Sequence, residues 1–285
     1  MADPALRAAI AAGELIIAPG VYDLISARIA DRMGFRAIYV TGYGVVASHL
    51  GLPDAGLATY RDMVERVGQI VAMTSTPVVA DADTGYGGLL NIAHTVRGYE
   101  AAGVSGIQIE DQVFPKKCGH TPGRRVIPTA EMVRKIEVAR DARSSADMLI
   151  IARTDARTAH GLDEALRRAE AYAEAGADIL FVESPESEAE LRRIGATLDL
   201  PLVANMVPGG STPILPGETL REMGFSLVLH PAAGFLAAGA ALERSYGGLL
   251  AGEGAESADL YDFDAFSRLM GFEEVWEFER RYGEG

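Results

Sequence analysis

One cysteine, Cys118, stands in a chain of 285 residues. An internal disulfide is therefore excluded, and a reducing compartment suits the chain. Basic charge is also scarce, with 26 lysines and arginines against 40 aspartates and glutamates and a net charge of −14. A phosphate polymer would be repelled, which argues against nucleic acid as a partner. A small anionic substrate is still compatible, because it needs only a local cluster of metal and arginine. No apolar run is long enough to span a bilayer, so no membrane partner is expected. The first residues lack the basic-then-apolar order of a signal peptide, and the chain reads as cytoplasmic.

What the chain has in quantity is apolar surface: 48% of its residues are hydrophobic and 23% charged, enough for a sizeable core. Eight short runs rich in Val, Ile and Leu recur, namely Leu15–Gly20, Ala37–Gly42, Pro77–Gly85, Gly106–Asp111, Met148–Asp155, Asp178–Ser184, Pro201–Met206 and Ser226–Pro231. Each is too short for a helix and reads as a parallel strand buried on both faces. Segments of helical period separate most of them, including Asp23–Met33, Tyr60–Thr74, Ile92–Ala102, Thr129–Arg143, Leu162–Ala175 and Glu186–Thr197. Met33-Gly34, Ala102-Gly103, Ala175-Gly176 and Met223-Gly224 each precede a strand-like run. This is a weak repeat in which a helix ends on a left-handed glycine and a strand follows. The alternation predicts an α/β chain forming a (β/α)8 TIM barrel over residues 1–250. Residues 251–285 then read as an acidic linker and an amphipathic helical tail over Phe263–Tyr282. Its apolar side chains, among them Phe266, Leu269, Trp276 and Phe278, need a partner surface, and a neighbouring subunit is expected to supply it.

Polar residues gather where the strands end. Tyr22 and Asp23, Thr41-Gly-Tyr43, Asp81, Asp83, Glu110, Asp111, Arg153, Asp155, Glu183, Asn205 and His230 all run off carboxyl ends, the face where such barrels carry their active sites. Asp81 and Asp83 alternate along a strand and face one volume, which Glu110 and Asp54 can reach. Four carboxylates without matching cations repel one another unless a divalent ion lies among them. All-oxygen ligation points to Mg2+, with Mn2+ the other option, and not to zinc. Such an ion chelates a 2-hydroxy or 2-oxo carboxylate and acts as a Lewis acid. Arg153 suits a carboxylate grip and Asn205 a neutral one, while Glu183 suits a base or a support for Arg153. Next to this rim in sequence lies Phe114-Pro-Lys-Lys-Cys-Gly-His120. Lys116, Lys117 and His120 flank the thiol, and cations nearby favour its thiolate.

These residues carry a resemblance. Lys116-Lys-Cys-Gly-His120, Asp81-Ala-Asp-Thr-Gly-Tyr-Gly87, Ile109-Glu-Asp-Gln112, Ala152-Arg-Thr-Asp-Ala156, Ala204-Asn-Met206 and Ser211-Thr-Pro213 resemble the isocitrate lyase / phosphoenolpyruvate mutase superfamily. The cysteine motif places the likeness in the short methylisocitrate lyase and 2,3-dimethylmalate lyase branch. The resemblance implies Asp83 as direct metal ligand, with Asp54, Asp81 and Glu110 holding the metal's waters. It also implies Thr41, Gly42 and Tyr43 around the carboxylate of a 2-oxo acid, and Arg153 stabilising charge at that end. Cys118 would sit on a closing loop and protonate the departing carbanion, stabilised by His120, Asn205 or a loop lysine such as Lys116. Helix exchange and a homotetramer are implied as well. The reaction would be a retro-Claisen cleavage, with Tyr43, Tyr86 or a metal-bound water taking the hydroxyl proton.

Thr121-Pro-Gly-Arg124 follows the motif where tricarboxylate lyases tend to carry an arginine, which favours a dicarboxylate such as a substituted malate. Arg124 or Arg125 could compensate. An oxaloacetate acetylhydrolase is the rival reading. A phosphonate mutase or hydrolase and a non-catalytic dicarboxylate-binding barrel stand behind it.

Overall fold

The computed structural model describes residues 2–119, 121, 123–253 and 260–283. In the first half, α1 (Pro4–Ala11) precedes β1 (Ile16–Val21), α2 (Leu24–Arg32), β2 (Ile38–Val40), α3 (Gly42–Leu50), α4 (Tyr60–Ala72), β3 (Val78–Asp81), α5 (Leu89–Ala102) and β4 (Gly106–Glu110). Then follow α6 (Thr129–Ala142), β5 (Leu149–Thr154), α7 (Ala156–His160), α8 (Leu162–Glu174), β6 (Ile179–Val182), α9 (Glu188–Thr197), β7 (Leu202–Asn205), α10 (Gly217–Glu222) and β8 (Phe225–His230). The chain ends with α11 (Ala233–Ala251), α12 (Phe263–Leu269) and α13 (Phe272–Tyr282).

The strands pair in parallel in chain order, and β8 returns to β1 through Ile16↔Leu227 to Pro19↔His230, closing the barrel. Each expected run overlaps a strand, with β1 running one residue past its run to Val21 and β8 starting one residue early at Phe225. Period-two alternation divides each strand between two cores. Ile16, Ala18, Tyr39, Val79, Leu149, Ile151, Phe181, Val203 and Leu227 form the inner one, which Leu6, Ala9 and Ile10 of α1 join. Ile38, Val40, Val78, Ala80, Ile107, Ile109, Ile150 and Leu180 face outward to the helices. The apolar stripe of α1 is thus part of the barrel's filling, and Asp3 starts that helix by accepting from the Ala5 N–H at 2.8 Å. The repeat glycines Gly34, Gly103, Gly176 and Gly224 all take positive φ, from 79° to 104°, as the helix-to-strand pattern required.

Three helices were not legible as such: α1, the glycine-rich α3 and the five-residue α7. The tail pattern over Phe263–Tyr282 divides at Gly271, whose φ of 97° ends one helix and opens the next. Two compact units result, Met1–Ala233 and Gly234–Gly285. The first holds the whole barrel and every described site residue. In the second, α11 and α13 bury no residue, and Leu236, Leu242, Leu249, Phe272, Trp276 and Phe278 stand exposed.

Close helix packing tests the barrel's outer layer. Gly195 in α9 lies against the backbone carbonyl of Met223, and a Cβ there would overlap that oxygen. Glycine to alanine inside a helix ordinarily gains about 1 kcal/mol. Here we expect Gly195→Ala to lose about 1–3 kcal/mol, the usual cost of overpacking, in urea unfolding. A gain in stability would contradict the packing described.

Candidate active site

The acidic rim is built by strand alternation and one unusual backbone turn. Asp81 ends β3 facing inward, on the same side as Val79, and Asp83 lies two residues beyond with a φ of 48°. Aspartate tolerates this left-handed region better than most residues. The turn is held because the Asp83 N–H donates to Asp81 Oδ1 at 3.0 Å and the Glu110 N–H to the Asp83 carbonyl at 2.9 Å. Beneath the rim, Tyr39 Oη donates to Gln108 Oε1 at 3.0 Å, and Gln108 Nε2 reaches Asp81 Oδ1 at 3.3 Å. Tyr99 Oη donates to the Asp81 carbonyl and lies 2.9 Å from Tyr86 Oη. Tyr39 and Gln108 did not stand out in the sequence, because they lie within an apolar strand and one strand turn below the visible acids.

Two basic groups face the acids. The Lys116 ammonium is 2.5 Å from Asp54 Oδ1 and 2.7 Å from Asp83 Oδ1, with its side chain only 4% exposed. Arg153 donates through Nε and Nη2 to the two Asp155 oxygens, each at 2.9 Å, and its Nε lies 3.4 Å from Glu110 Oε2. Its Nη1 is 3.6 Å from Glu183 Oε2, and the guanidinium stacks over Phe181 at 5.1 Å. Asn205 Nδ2 donates to Glu183 Oε2 at 3.1 Å.

Burial governs the proton affinities. It lifts the Asp83 carboxyl to about 6, with Asp81 and Asp54 adding to the effect and Lys116 opposing it. It also raises Glu110 well above the carboxylate range, against the pull of Arg153 and Lys116. Burial alone would lower Lys116, but Asp83 and Asp54 carry it well above its ordinary value. It is therefore a fixed cation and not a proton donor. Burial likewise raises Tyr86 and Tyr99, keeping both phenols protonated, so Tyr86 is poorly suited to the role of base considered for it.

The cysteine loop runs across the mouth above these groups. The Cys118 N–H donates to the Asp54 carbonyl at 3.1 Å. Gln112 holds Lys117 twice, accepting its N–H at 2.9 Å and donating to its carbonyl at 2.8 Å. The Gly119 carbonyl accepts from Ser184 Oγ at 2.9 Å. A Cβ on Gly119 would come within 2.5 Å of Arg153 Nη2 and 3.1 Å of Glu183, so only glycine passes here. Cys118 itself is half-buried on this loop, not packed in the interior. His120 lies outside the described residues. Thr41 precedes α3, whose first residues Gly42 and Tyr43 put a helix N-terminus beside the rim; a Cβ on Gly42 would meet Asp81 Oδ2 at 2.5 Å. Tyr43 is 40% exposed.

Some polar strand ends proved to be scaffolding. Asp23 caps α2 through a reciprocal Ser26 bond. Asp111, the neighbour of Glu110, faces outward and binds Thr154, Tyr172, Arg168 and the Asp155 N–H. Arg124 is buried beside Asp155 at 2.7 Å and Thr158 at 2.6 Å, so it reinforces Arg153's partner.

The donor set fits a hard cation. Glu110 Oε1 is a buried oxygen with no hydrogen-bond donor among the described groups, and Asp54 Oδ1 and Asp83 Oδ1 face only the Lys116 ammonium among them. No three carboxylate, histidine or thiol groups among the described residues are drawn together as a finished metal cage. One or two direct carboxylates with waters between the others is the arrangement Mg2+ prefers.

A closed parallel barrel with an acidic rim, a buried arginine and a cysteine loop over its mouth defines a class of small-carboxylate enzymes. The sequence profile described as phosphoenolpyruvate phosphomutase matches residues 6–250, and the chain belongs to that family, within the isocitrate lyase / phosphoenolpyruvate mutase superfamily. It is 46% identical over 282 residues to the 2,3-dimethylmalate lyase of Eubacterium barkeri, covering 98% of each chain. Two solved structures are also similar. One is an oxaloacetate acetylhydrolase bound to 3,3-difluorooxalacetate, with TM-score 0.91, 33% identity, and 96% of this chain and 94% of that one covered. The other is a phosphonopyruvate hydrolase bound to oxalate and Mg2+, with TM-score 0.89, 30% identity and 100% of each chain covered.

Removing one partner of a buried charge pair is costly. Asp155→Ala leaves Arg153 and Arg124 buried together without their shared carboxylate, and we expect a loss of about 3–5 kcal/mol in urea unfolding. A variant as stable as the parent would show that Glu110 and Glu183 suffice to hold the two guanidiniums.

Proposed function

We propose that this protein is a divalent-metal-dependent carbon–carbon lyase that cleaves a 2-hydroxy dicarboxylate of the substituted-malate type into a 2-oxo acid and a carboxylate. The observation that carries the reading is the seating of the cysteine loop on the metal-competent acids at one end and on Arg153 and Glu183 at the other. On this reading Cys118 would be the proton donor to the carbon released when the bond breaks, and its half-buried place on that loop supports the role. The 46% identity to a 2,3-dimethylmalate lyase over nearly the whole chain supports the same reaction.

Asp83 would hold the ion directly, with Asp81, Asp54 and Glu110 holding its waters; Mg2+ suits this donor set and Mn2+ would substitute. When bound, the ion would supply Lewis-acid charge that favours the alkoxide. The α3 N-terminus at Thr41, Gly42 and Tyr43 offers N–H donors to that carboxylate. Arg153, locked by Asp155 and Glu110, contributes positive charge at the same end without needing to reorganise. Asn205, held by Glu183, offers a neutral amide to the second carboxylate as charge moves onto it, with Lys116 and His120 as cationic support. Cys118 delivers the proton to the carbon that leaves, and the resulting thiolate recovers its proton from solvent when the loop opens. With Tyr86 tied to Tyr99, Tyr43 and a bound water are the better candidates to take the hydroxyl proton.

Arg124 is committed to Asp155, so it does not replace the arginine absent after the cysteine motif, which leaves Arg125 as the cation for any third substrate carboxylate. This favours a dicarboxylate over methylisocitrate. The exposed apolar side chains of α11 and α13 fit burial against further copies of this chain in a homotetramer.

A panel of 2,3-dimethylmalate, 2-methylisocitrate, isocitrate and oxaloacetate with Mg2+, read by 2-oxo acid formation, tests the assignment. Dimethylmalate or a close homologue should turn over best. Oxalate from oxaloacetate as the main product would make the chain an acetylhydrolase instead. For Cys118→Ser, we expect kcat to fall by about 10²–10⁴-fold, the range for a lost general acid, while pyruvate and metal still bind. Full turnover by that variant would remove Cys118 from its role.

A further inference from the structure

An uncharged amide sits in the apolar filling of the barrel. Gln108 has no exposed surface, and strand alternation puts it on the inward side of β4 with Glu110. Its partners across the sheet are Asp81 on β3 and Ile151 on β5, and Tyr39 and Ile151 belong to the inner core. Burying an amide there is costly unless both of its ends are bonded. Both are, since Oε1 accepts from Tyr39 Oη at 3.0 Å and Nε2 donates to Asp81 Oδ1 at 3.3 Å. A leucine would fill the same volume and leave no polar group to satisfy, so the amide calls for a role. The direction of the chain is set by its last member. An ionised carboxylate only accepts, so Gln108 must turn Nε2 to Asp81 and Oε1 to Tyr39, and Tyr39 must donate. Burial keeps the Tyr39 phenol protonated, with Asp81 adding to the effect. Asp81 Oδ1 also accepts from the Asp83 N–H at 3.0 Å, so that oxygen is held from two sides. Oδ2 is left toward the start of α3, where a Cβ on Gly42 would come within 2.5 Å of it.

We propose that Gln108, oriented by Tyr39, is a positioning residue for the metal site, acting through Asp81 to fix which carboxylate oxygen faces the ion's water. The inference rests on the metal reading above. Groups of this kind do not touch the ion. They hold a carboxylate in its working orientation before the ion arrives, and losing one ordinarily weakens metal affinity by about 10–100-fold. Without the amide, Asp81 Oδ1 keeps only the Asp83 N–H, and the carboxylate is freer to turn away from the mouth.

Mn2+ affinity, followed without any oxo acid by the loss of the free ion's paramagnetic resonance signal, separates this role from a purely structural one. Gln108→Leu keeps the barrel filled and should bind Mn2+ about 10–100-fold more weakly than the parent. Tyr39→Phe removes the donor to Oε1 and lets the amide turn over. It should weaken binding about fivefold, the worth of one neutral hydrogen bond. Since Tyr39 reaches the site only through Gln108, adding Tyr39→Phe to Gln108→Leu should change the affinity by less than about twofold further. Parent-like affinity in Gln108→Leu overturns the proposal, and so does a Tyr39→Phe effect that persists in full in the Gln108→Leu background. Should Gln108→Leu fail to fold, Tyr39→Phe decides alone, and an unchanged affinity there overturns the proposal. No Mn2+ binding by the parent would overturn the metal reading itself, and the proposal with it.

Discussion

Negative charge buried at one end of the barrel is the constraint from which the rest follows. Asp54, Asp81, Asp83 and Glu110 are withdrawn from water, and burial drives Asp83 and Glu110 toward their neutral forms. Ionised carboxylates this close need cations, and the chain supplies two, Arg153 and Lys116. The first is built in, since Asp155 and Phe181 fix it on its strand and Arg124 fixes Asp155. The second arrives on a loop.

Much of the remaining structure serves to hold this arrangement. The inner core, closed from below by α1, leaves the carboxyl ends of the strands as the place where polar groups gather. Gln108 and Tyr39 carry hydrogen bonds up from the apolar layer to Asp81, so the rim does not rest on bare hydrocarbon. Asp83, Tyr86 and Ser184 all take positive φ at the mouth, where backbone strain is tolerated because neighbouring contacts fix it. Ser184 then receives the cysteine loop through its hydroxyl. The local field at the mouth of a strongly acidic chain is thus set by the cations beside the rim, Arg153 and Lys116 among the described residues, and not by its net charge.

The barrel was legible because strands buried on both faces leave continuous apolar runs, and left-handed glycines mark the entries to β2, β4, β6 and β8. The acids at the rim were legible because a carboxylate that ends a buried apolar run needs a cation or water to face. What escaped were features that depend on direction or on distant partners. Glu110 and Asp111 look equivalent in sequence, yet pleating sends one into the mouth and the other under Arg168 and Tyr172. Arg124 and Asp155 are 31 residues apart and meet only because the loop folds back. Helix α3 was hidden by Gly42 and Gly44, which read as loop although tight packing against Asp81 and Tyr22 requires them. Lys116 was expected beside the chemistry, but nothing in a string of residues shows an amine pointing between two acids.

The central claim is that the acids at the barrel's mouth would hold a divalent cation. A crystal of the substrate-free protein soaked in Mn2+, with anomalous scattering recorded, tests it most directly. The account predicts an anomalous peak in direct contact with Asp83. Saturating manganese with no peak at the rim would contradict it.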